Sequence, residues 1–114
     1  MIVAIVGSRS FTDYAELKRV VSSMKNITIT KIVSGGASGV DRLADYYAQD
    51  NIIPFTVILP DWKKYGKAAG PIRNRQIVEM ADYIILFWDG VSKGTKSTLD
   101  ICKELKKDYR LIYI

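Results

Sequence analysis

The sequence predicts an α/β fold, a Rossmann-like three-layer α/β/α sandwich built on a five-stranded parallel sheet. Three observations predict it. Five short apolar runs rich in Ile and Val alternate with segments of helical spacing. The runs are nearly continuous rather than polar-alternating, as strands covered by helices on both faces require. The resulting order β-α-β-α-β-α-β-α-β favours parallel strands joined by right-handed crossovers, with helices on both sides of the sheet.

Each element has its own signal. Ile2–Val6 predicts the first strand. Asp13–Lys25 predicts the first helix, because Leu17, Val20, Val21 and Met24 recur at i, i+3, i+4, i+7 and Asp13-Tyr-Ala-Glu16 fits a capping box. Thr30–Ser34 is the second strand, followed by a helix over Gly39–Asp50 opened by a second box, Ser38-Gly-Val-Asp41. Phe55–Leu59 is the third strand. Pro60–Gly70 reads as one long irregular stretch, a length that is often functional in a compact domain. Ile72–Ala81 is the third helix, behind a Gly70-Pro71 pair whose proline suits a first helical position. Tyr83–Phe87, a helix over Thr95–Lys107 with Leu99, Cys102 and Leu105 three apart, and a last strand at Arg110–Ile114 complete the chain.

With 114 residues the chain has room for one domain, 1–114, and its 48% hydrophobic and 25% charged residues are ordinary for a soluble globular protein. No apolar run approaches the roughly 18–20 residues of a membrane span. The N-terminus lacks a signal-peptide pattern and enters a strand directly, so a cytoplasmic location is expected. The single cysteine, Cys102, excludes an intramolecular disulfide and reads as a small core residue. The absence of histidine removes Ser-His and Cys-His nucleophile pairs and any Cys/His metal site. No metal and no cofactor are expected.

In a doubly wound sheet, ligands bind beyond the carboxyl ends of the strands. Those ends carry Gly7-Ser8-Arg9-Ser10-Phe11, Gly35-Gly36-Ala37-Ser38-Gly39, the Pro60 loop, and Asp89-Gly90-Val91-Ser92-Lys93-Gly94-Thr95. The second turn is the richest. Gly35 and Gly36 let backbone approach a bound group closely, and Ser38 or Gly39 opens a helix whose first N–H groups are unpaired. Together they form an anion site without a charged side chain. Gly94-Thr95 repeats the plan at another helix start. Asp41 either caps its helix or accepts from a ribose hydroxyl, and both roles stay open.

The net charge is +5, and Asp61–Arg75 holds Lys63, Lys64, Lys67, Arg73 and Arg75 against Asp61 alone. This is either a solvated loop or a basic wall beside an anionic ligand. Arg73-Asn74 favours the second reading, since an arginine in a first helical turn opposes the helix dipole but offers a forked donor to phosphate. Trp62, Tyr65 and Phe11 lie in or beside these loops and either stack on a base or cover the core edge.

Gly7-Ser8-Arg9, Ser34-Gly35-Gly36-Ala37-x-Gly39-x-Asp41-x-Leu43-Ala44, Asp61-Trp62-x-x-Tyr65-Gly66-Lys67-x-Ala69-Gly70, Arg73-Asn74 and Ser92-x-Gly94-Thr95 run in order through nearly the whole chain. This set resembles the YspA-like, cpYpsA-related branch of the SLOG superfamily, a Rossmann-like group that includes the LOG phosphoribohydrolases and DprA. The resemblance implies a nucleotide-binding fold, ligands such as nucleoside phosphates, ADP-ribose or other NAD-derived nucleotides, and a homodimer or higher homo-oligomer. It also places such chains in bacteria and phages. The ligand-binding set is then Gly7, Ser8, Arg9, Ser34, Gly35, Gly36, Ser38, Gly39, Asp41, Lys67, Arg73, Asn74, Gly94 and Thr95.

The chain departs from the LOG pattern at one point. LOG enzymes follow their Gly-Thr with a glutamate two to three residues later, whereas here Lys96, Ser97 and Thr98 follow and the first acid is Asp100. A glycosidase of that type needs a carboxylate beside the ribose. Asp41 and Asp100 are the candidate catalytic groups, with Asp89 and Glu79 as further acids that the sequence does not separate. The leading expectation is therefore a binding module for a nucleotide or NAD-derived signal, acting as sensor or sequestering protein. An N-glycosidase on nucleoside monophosphates is the alternative, and DprA-like DNA binding resting on the basic loop stands third.

Overall fold

A computed structural model describes residues 1–114. The chain runs β1 (Ile2–Gly7), α1 (Tyr14–Ser22), β2 (Lys31–Ser34), α2 (Val40–Asp50), β3 (Phe55–Val57), α3 (Trp62–Tyr65), a 3₁₀ turn (Gly66–Ala68), α4 (Ala69–Met80), β4 (Tyr83–Trp88), α5 (Lys93–Glu104) and β5 (Asp108–Tyr113). The five strands form one parallel sheet in the order β3-β2-β1-β4-β5. This is the expected Rossmann-like α/β fold.

Period-two alternation along the central strands divides the core between the two faces. Val3 and Ile5 of β1, with Ile85 and Phe87 of β4, pack against Leu17, Val20 and Val21 of α1 and Val40, Leu43, Ala44 and Tyr47 of α2. Ala4 and Val6, with Ile84 and Leu86, pack against Ile77 and Val78 of α4 and Leu99, Ile101 and Cys102 of α5. Each large apolar side chain buried this way contributes about 1.5–3 kcal/mol. Cys102 is buried, and burial raises its thiol pKa to about 11, which keeps it protonated and inert.

Local chemistry sets the helix ends. Asp13 accepts from the Glu16 N–H at 3.1 Å as N-cap of α1. The reciprocal half of the box is absent, because the Glu16 carboxylate pairs with Arg19. The capping box read at Ser38–Asp41 does not form either: Gly39 is the N-cap of α2, and its side-chain position offers no acceptor. α2 ends with Ile52 at φ 53° and α5 with Lys106 at φ 54°. In both, the residue beyond donates back to the third residue from the helix end, Ile53 to Ala48 and Lys107 to Cys102. These are Schellman closures without glycine, so α5 stops at Glu104, short of the expected Lys107.

Two further expectations change. Pro60–Gly70 is not one irregular loop but winds through α3 and the 3₁₀ turn directly into α4. α4 therefore starts at Ala69, and Pro71 occupies its third position, where the missing N–H still costs no helical hydrogen bond. α5 starts at Lys93 with Ser92 as N-cap, two residues before the expected start, which puts Gly94 and Thr95 inside its first turn.

The chain leaves β1 outward through β2 and β3, then crosses back to β4 on the other side of β1. The order of strands thus reverses between β1 and β4. A crevice at the carboxyl ends of the strands is expected at that point.

Candidate functional site

The crevice is present. A cavity of about 370 Å³ opens there, lined by Gly7, Arg9 and Ser10 after β1, Gly35, Ala37 and Asp41 after β2, Arg73, Asn74 and Ile77 on one face of α4, and Ser92 to Thr95 with Thr98 at the start of α5. Its only other apolar contribution is Val6.

The first turn of α5 presents open backbone donors to this cavity. Lys96 N–H bonds to the Ser92 carbonyl oxygen, while the N–H groups of Lys93, Gly94 and Thr95 have no partner within the protein. Such groups carry the positive end of the helix dipole. Asn74 and Thr98 brace this turn: Thr98 Oγ1 donates to the Gly94 carbonyl oxygen at 3.1 Å, and Asn74 Nδ2 reaches the same oxygen at 3.5 Å. Thr95 is 5% exposed, and its hydroxyl makes no intramolecular hydrogen bond.

Arg73 faces this turn from α4. Nη1 donates to the Gly35 carbonyl oxygen at 2.8 Å and Nε to Asn74 Oδ1 at 3.0 Å, which leaves donors of the guanidinium free. Burial and the like charge of Arg9 lower its pKa, against the pull of Asp41, but an arginine remains a cation in proteins. Asp41 approaches from α2, and its Oδ2 accepts from the Ala37 N–H at 3.2 Å. Burial raises its carboxyl pKa above the ordinary value, outweighing that N–H and the Arg73 charge. Arg9, Arg73 and Lys93 stand against this one acid among the lining residues, so the cavity is cationic.

The sequence-derived residues fall into two groups. Gly7, Arg9, Gly35, Asp41, Arg73, Asn74, Gly94 and Thr95 line the cavity. Ser8, Ser34, Gly36, Ser38, Gly39 and Lys67 do not, and three of them, Ser8, Ser34 and Gly39, build its frame. Ser8 is 1% exposed, and its Oγ accepts from the Asp89 N–H and the Ser92 hydroxyl, each at 3.1 Å, tying the first turn to the fourth. Ser34 Oγ donates to the Ile5 carbonyl oxygen at 2.7 Å. Gly39 packs so closely on Ser8 and Arg9 that a Cβ there would run into their backbone. The donors of the second turn are partly committed, Ala37 N–H to Asp41 and Val40 N–H to the Ser8 carbonyl oxygen. The open backbone donors that the sequence placed at this turn thus lie at the fourth as well.

The acids separate in the same way. Asp100 is exposed on α5, paired with Lys96 one helical turn away, and lies outside the cavity. Asp89 accepts from the Val91 and Ser92 N–H groups and the Ser92 hydroxyl, and those two backbone N–H groups hold its pKa low. Glu79 is exposed on α4. Asp41 is the one carboxylate in the cavity.

The basic wall read from Asp61–Arg75 reduces to Arg73. Arg75 pairs with Glu104 at 2.6 Å, Lys63 and Lys67 are exposed, and Lys64 lies over the Tyr65 ring. Ser10, Ala37, Ile77, Lys93 and Thr98 line the cavity without having been singled out as ligand-binding residues. Reading Ser92 as an N-cap would have found Lys93 and Thr98, and the i, i+4 step from Arg73 would have found Ile77.

A model of the YspA, cpYpsA-related SLOG family matches residues 1–65. The chain belongs to this family. The match takes in the first two turns and Asp41, while Arg73, Asn74 and the α5 turn lie beyond it. The SLOG chain is also 38% identical over 72 residues to the gene 61 protein of Mycobacterium phage D29, covering 57% of each. Its fold is similar to that of DNA processing protein A (DprA) from Streptococcus pneumoniae, with a TM-score of 0.76 and 23% identity over 96% of this chain. The SLOG chain spans 49% of that DprA chain and 57% of the phage protein. No helix of it is long and apolar enough to cross a membrane.

Proposed function

We propose that this SLOG chain binds a nucleotide or an NAD- or ADP-ribose-derived small molecule at the carboxyl edge of its sheet, as a sensor or a sequestering protein. The observation that carries this reading is the first turn of α5. Three unpartnered backbone N–H groups open into a cavity that Arg9, Arg73 and Lys93 make cationic. A phosphate on that turn would receive backbone donors and the helix dipole together, with the Arg73 fork as a charge-assisted partner. Asp41 lies within the same cavity, where a sugar hydroxyl would find an acceptor. The test is a thermal-shift screen of nucleoside phosphates, ADP-ribose and NAD with the purified chain. A ligand present at about a hundred times its dissociation constant adds about 2.7 kcal/mol of stability. A panel in which no compound moves Tm rejects the reading.

One observation favours hydrolysis as the second reading. Asp41 is a buried carboxyl with a raised pKa inside the cavity, the environment in which carboxyl groups serve as acids. This reading predicts release of free base from a nucleoside monophosphate and its loss in Asp41→Asn. No base release across the four common nucleotides rejects it. A third reading, single-stranded DNA on the outer surface, rests on exposed Trp62 and Tyr65 beside Lys63, Lys64 and Lys67. Binding of that kind weakens steeply as salt rises, and salt-insensitive or absent binding of an oligonucleotide rejects it.

A further inference from the structure

The cationic cavity has no aromatic ring in its wall, and Val6, Ala37 and Ile77 are its only apolar residues. It suits a sugar and a phosphate, but offers a heteroaromatic base no flat apolar surface. Such a surface lies next to it. A second groove of about 280 Å³ runs between α2 and the edge strand β3, and Ala37 and Asp41 line both spaces. Tyr46, Phe55, Val57 and Leu59 form its apolar walls.

These walls are large apolar groups left in solvent: Leu59 is 67% exposed and Tyr46 43% exposed. The Tyr46 ring is nevertheless held, edge-on against Tyr14, whose hydroxyl is hydrogen-bonded to Asp50. The floor is Gly36, at φ 74°, where a Cβ would stand 2.7 Å from Val57 Cγ1 and 2.9 Å from Leu59 Cδ2. Only glycine lets the loop lie that close to the β3 side chains. Arg42 also lines the groove and supplies donors, and Asp45, whose Oδ1 accepts from Gln49 Nε2 at 3.0 Å, keeps Oδ2 as an acceptor, the two functions that the polar edge of a base requires.

We infer that the α2–β3 groove is the base subsite of the same ligand, so that a nucleotide lies over Ala37 with its phosphate on α5 and its base against Tyr46 and Leu59. The inference rests on the nucleotide-binding reading above and adds where the base goes. Stacking on an aromatic side chain such as Tyr46 improves binding by roughly fivefold to a hundredfold per base.

Titration calorimetry with ribose 5-phosphate and the four common nucleoside 5′-monophosphates tests both levels separately. The expected result is that at least one nucleotide binds fivefold or more tighter than ribose 5-phosphate. In Tyr46→Ala and in Leu59→Asp, both at exposed positions outside the cationic cavity, that advantage falls below fivefold while ribose 5-phosphate binds as before. If ribose 5-phosphate binds and no nucleotide exceeds it fivefold, the phosphate site stands and the base subsite is overturned. The subsite is equally overturned if the advantage survives in both variants, or if they weaken all probes alike. If no probe binds the unmodified chain, the base subsite is overturned, and the nucleotide-binding reading falls with it only when ADP-ribose and NAD also fail to bind.

Discussion

Arg73 on α4 donates from Nη1 to the carbonyl oxygen of Gly35 at 2.8 Å, joining this helix to the second turn, 38 residues away in the chain. The bond fixes the guanidinium at the cavity wall, because Nε is held at the same time by Asn74 Oδ1. Arg73→Lys keeps the charge but loses the fork and one of the two bonds. The expected outcome is a loss of about 1.5–3 kcal/mol in urea unfolding, as for a hydrogen bond from a charged group. Phosphate-ligand affinity falls by roughly tenfold or more when the bidentate partner is lost. Unchanged affinity in Arg73→Lys would show that the guanidinium serves the fold alone.

Gly35 and Gly39 belong to one glycine-rich turn, yet their substitutions separate fold from binding. A Cβ on Gly35 would stand 2.8 Å from Arg73 Nη1 and 3.0 Å from Asp41 Oδ2, both ends of side chains that can move. A Cβ on Gly39 would strike the backbone of Ser8 and Arg9, and its φ of 72° disfavours any side chain. Gly39→Ala should therefore cost about 2 kcal/mol or more, while Gly35→Ala costs about 1 kcal/mol or less and displaces the two polar groups of the site. Denaturation and ligand titration of the two variants check this. Equal losses of stability would contradict it.

Asp41 makes a pH prediction. Its carboxyl pKa in the folded chain lies above the ordinary value of 3.8, because burial outweighs its partners. The folded state therefore holds this proton more tightly than the unfolded state does. The resulting stability is fully present below the ordinary pKa and is lost as pH rises through the raised one. Asp41→Asn keeps an acceptor for the Ala37 N–H and has no proton to lose. As pH rises from below 3.8 through the raised pKa, the stability difference between the two proteins should shift in favour of the Asn variant and then level off. Urea midpoints across that range measure it, and a flat difference, or one moving the other way, would show that Asp41 is not desolvated in this sense.

Ile52 closes α2 in a left-handed conformation, at φ 53°, with 93% of its surface exposed. A β-branched residue there costs about 1–2 kcal/mol in backbone strain and gains no packing in return. Ile52→Gly should stabilise the chain by about 0.5–1 kcal/mol after the added freedom of the unfolded glycine is subtracted. Ligand binding should not change, since Ile52 lies outside the cavity. A lower Tm for this variant would mean that the isoleucine has a partner on this surface.

How far the site could be read from the sequence depended on how local each cause is. The strands were legible because burial on both faces leaves a continuous apolar run, so Ile2–Val6 and Tyr83–Phe87 matched β1 and β4 to within a residue. The start of α5 was two residues off, because Lys93 and Gly94 extend no apolar stripe and only Ser92 marks the cap. That small error moved Gly94 and Thr95 from a helix start into its first turn. The Asp61–Arg75 charge was legible as a sum but not as a direction: Arg75 turns to Glu104 and Arg73 to Gly35.

The alternation of strands and helices, the parallel sheet and the four turns at its carboxyl edge were all legible in the amino-acid order. Those follow from apolar periodicity and from glycine, causes that act within a few residues. Which individual donors of those turns stay open is set by tertiary packing. Ser8 and Asp41 take N–H groups of the second turn, whereas no side chain reaches those of Lys93, Gly94 and Thr95. Tertiary structure also turned Asp100 outward and left Asp41 as the one acid in the cavity. The reason is geometric: a donor is free or taken according to residues dozens of positions away, and their approach is set by the packing of α2, α4 and α5 on the sheet.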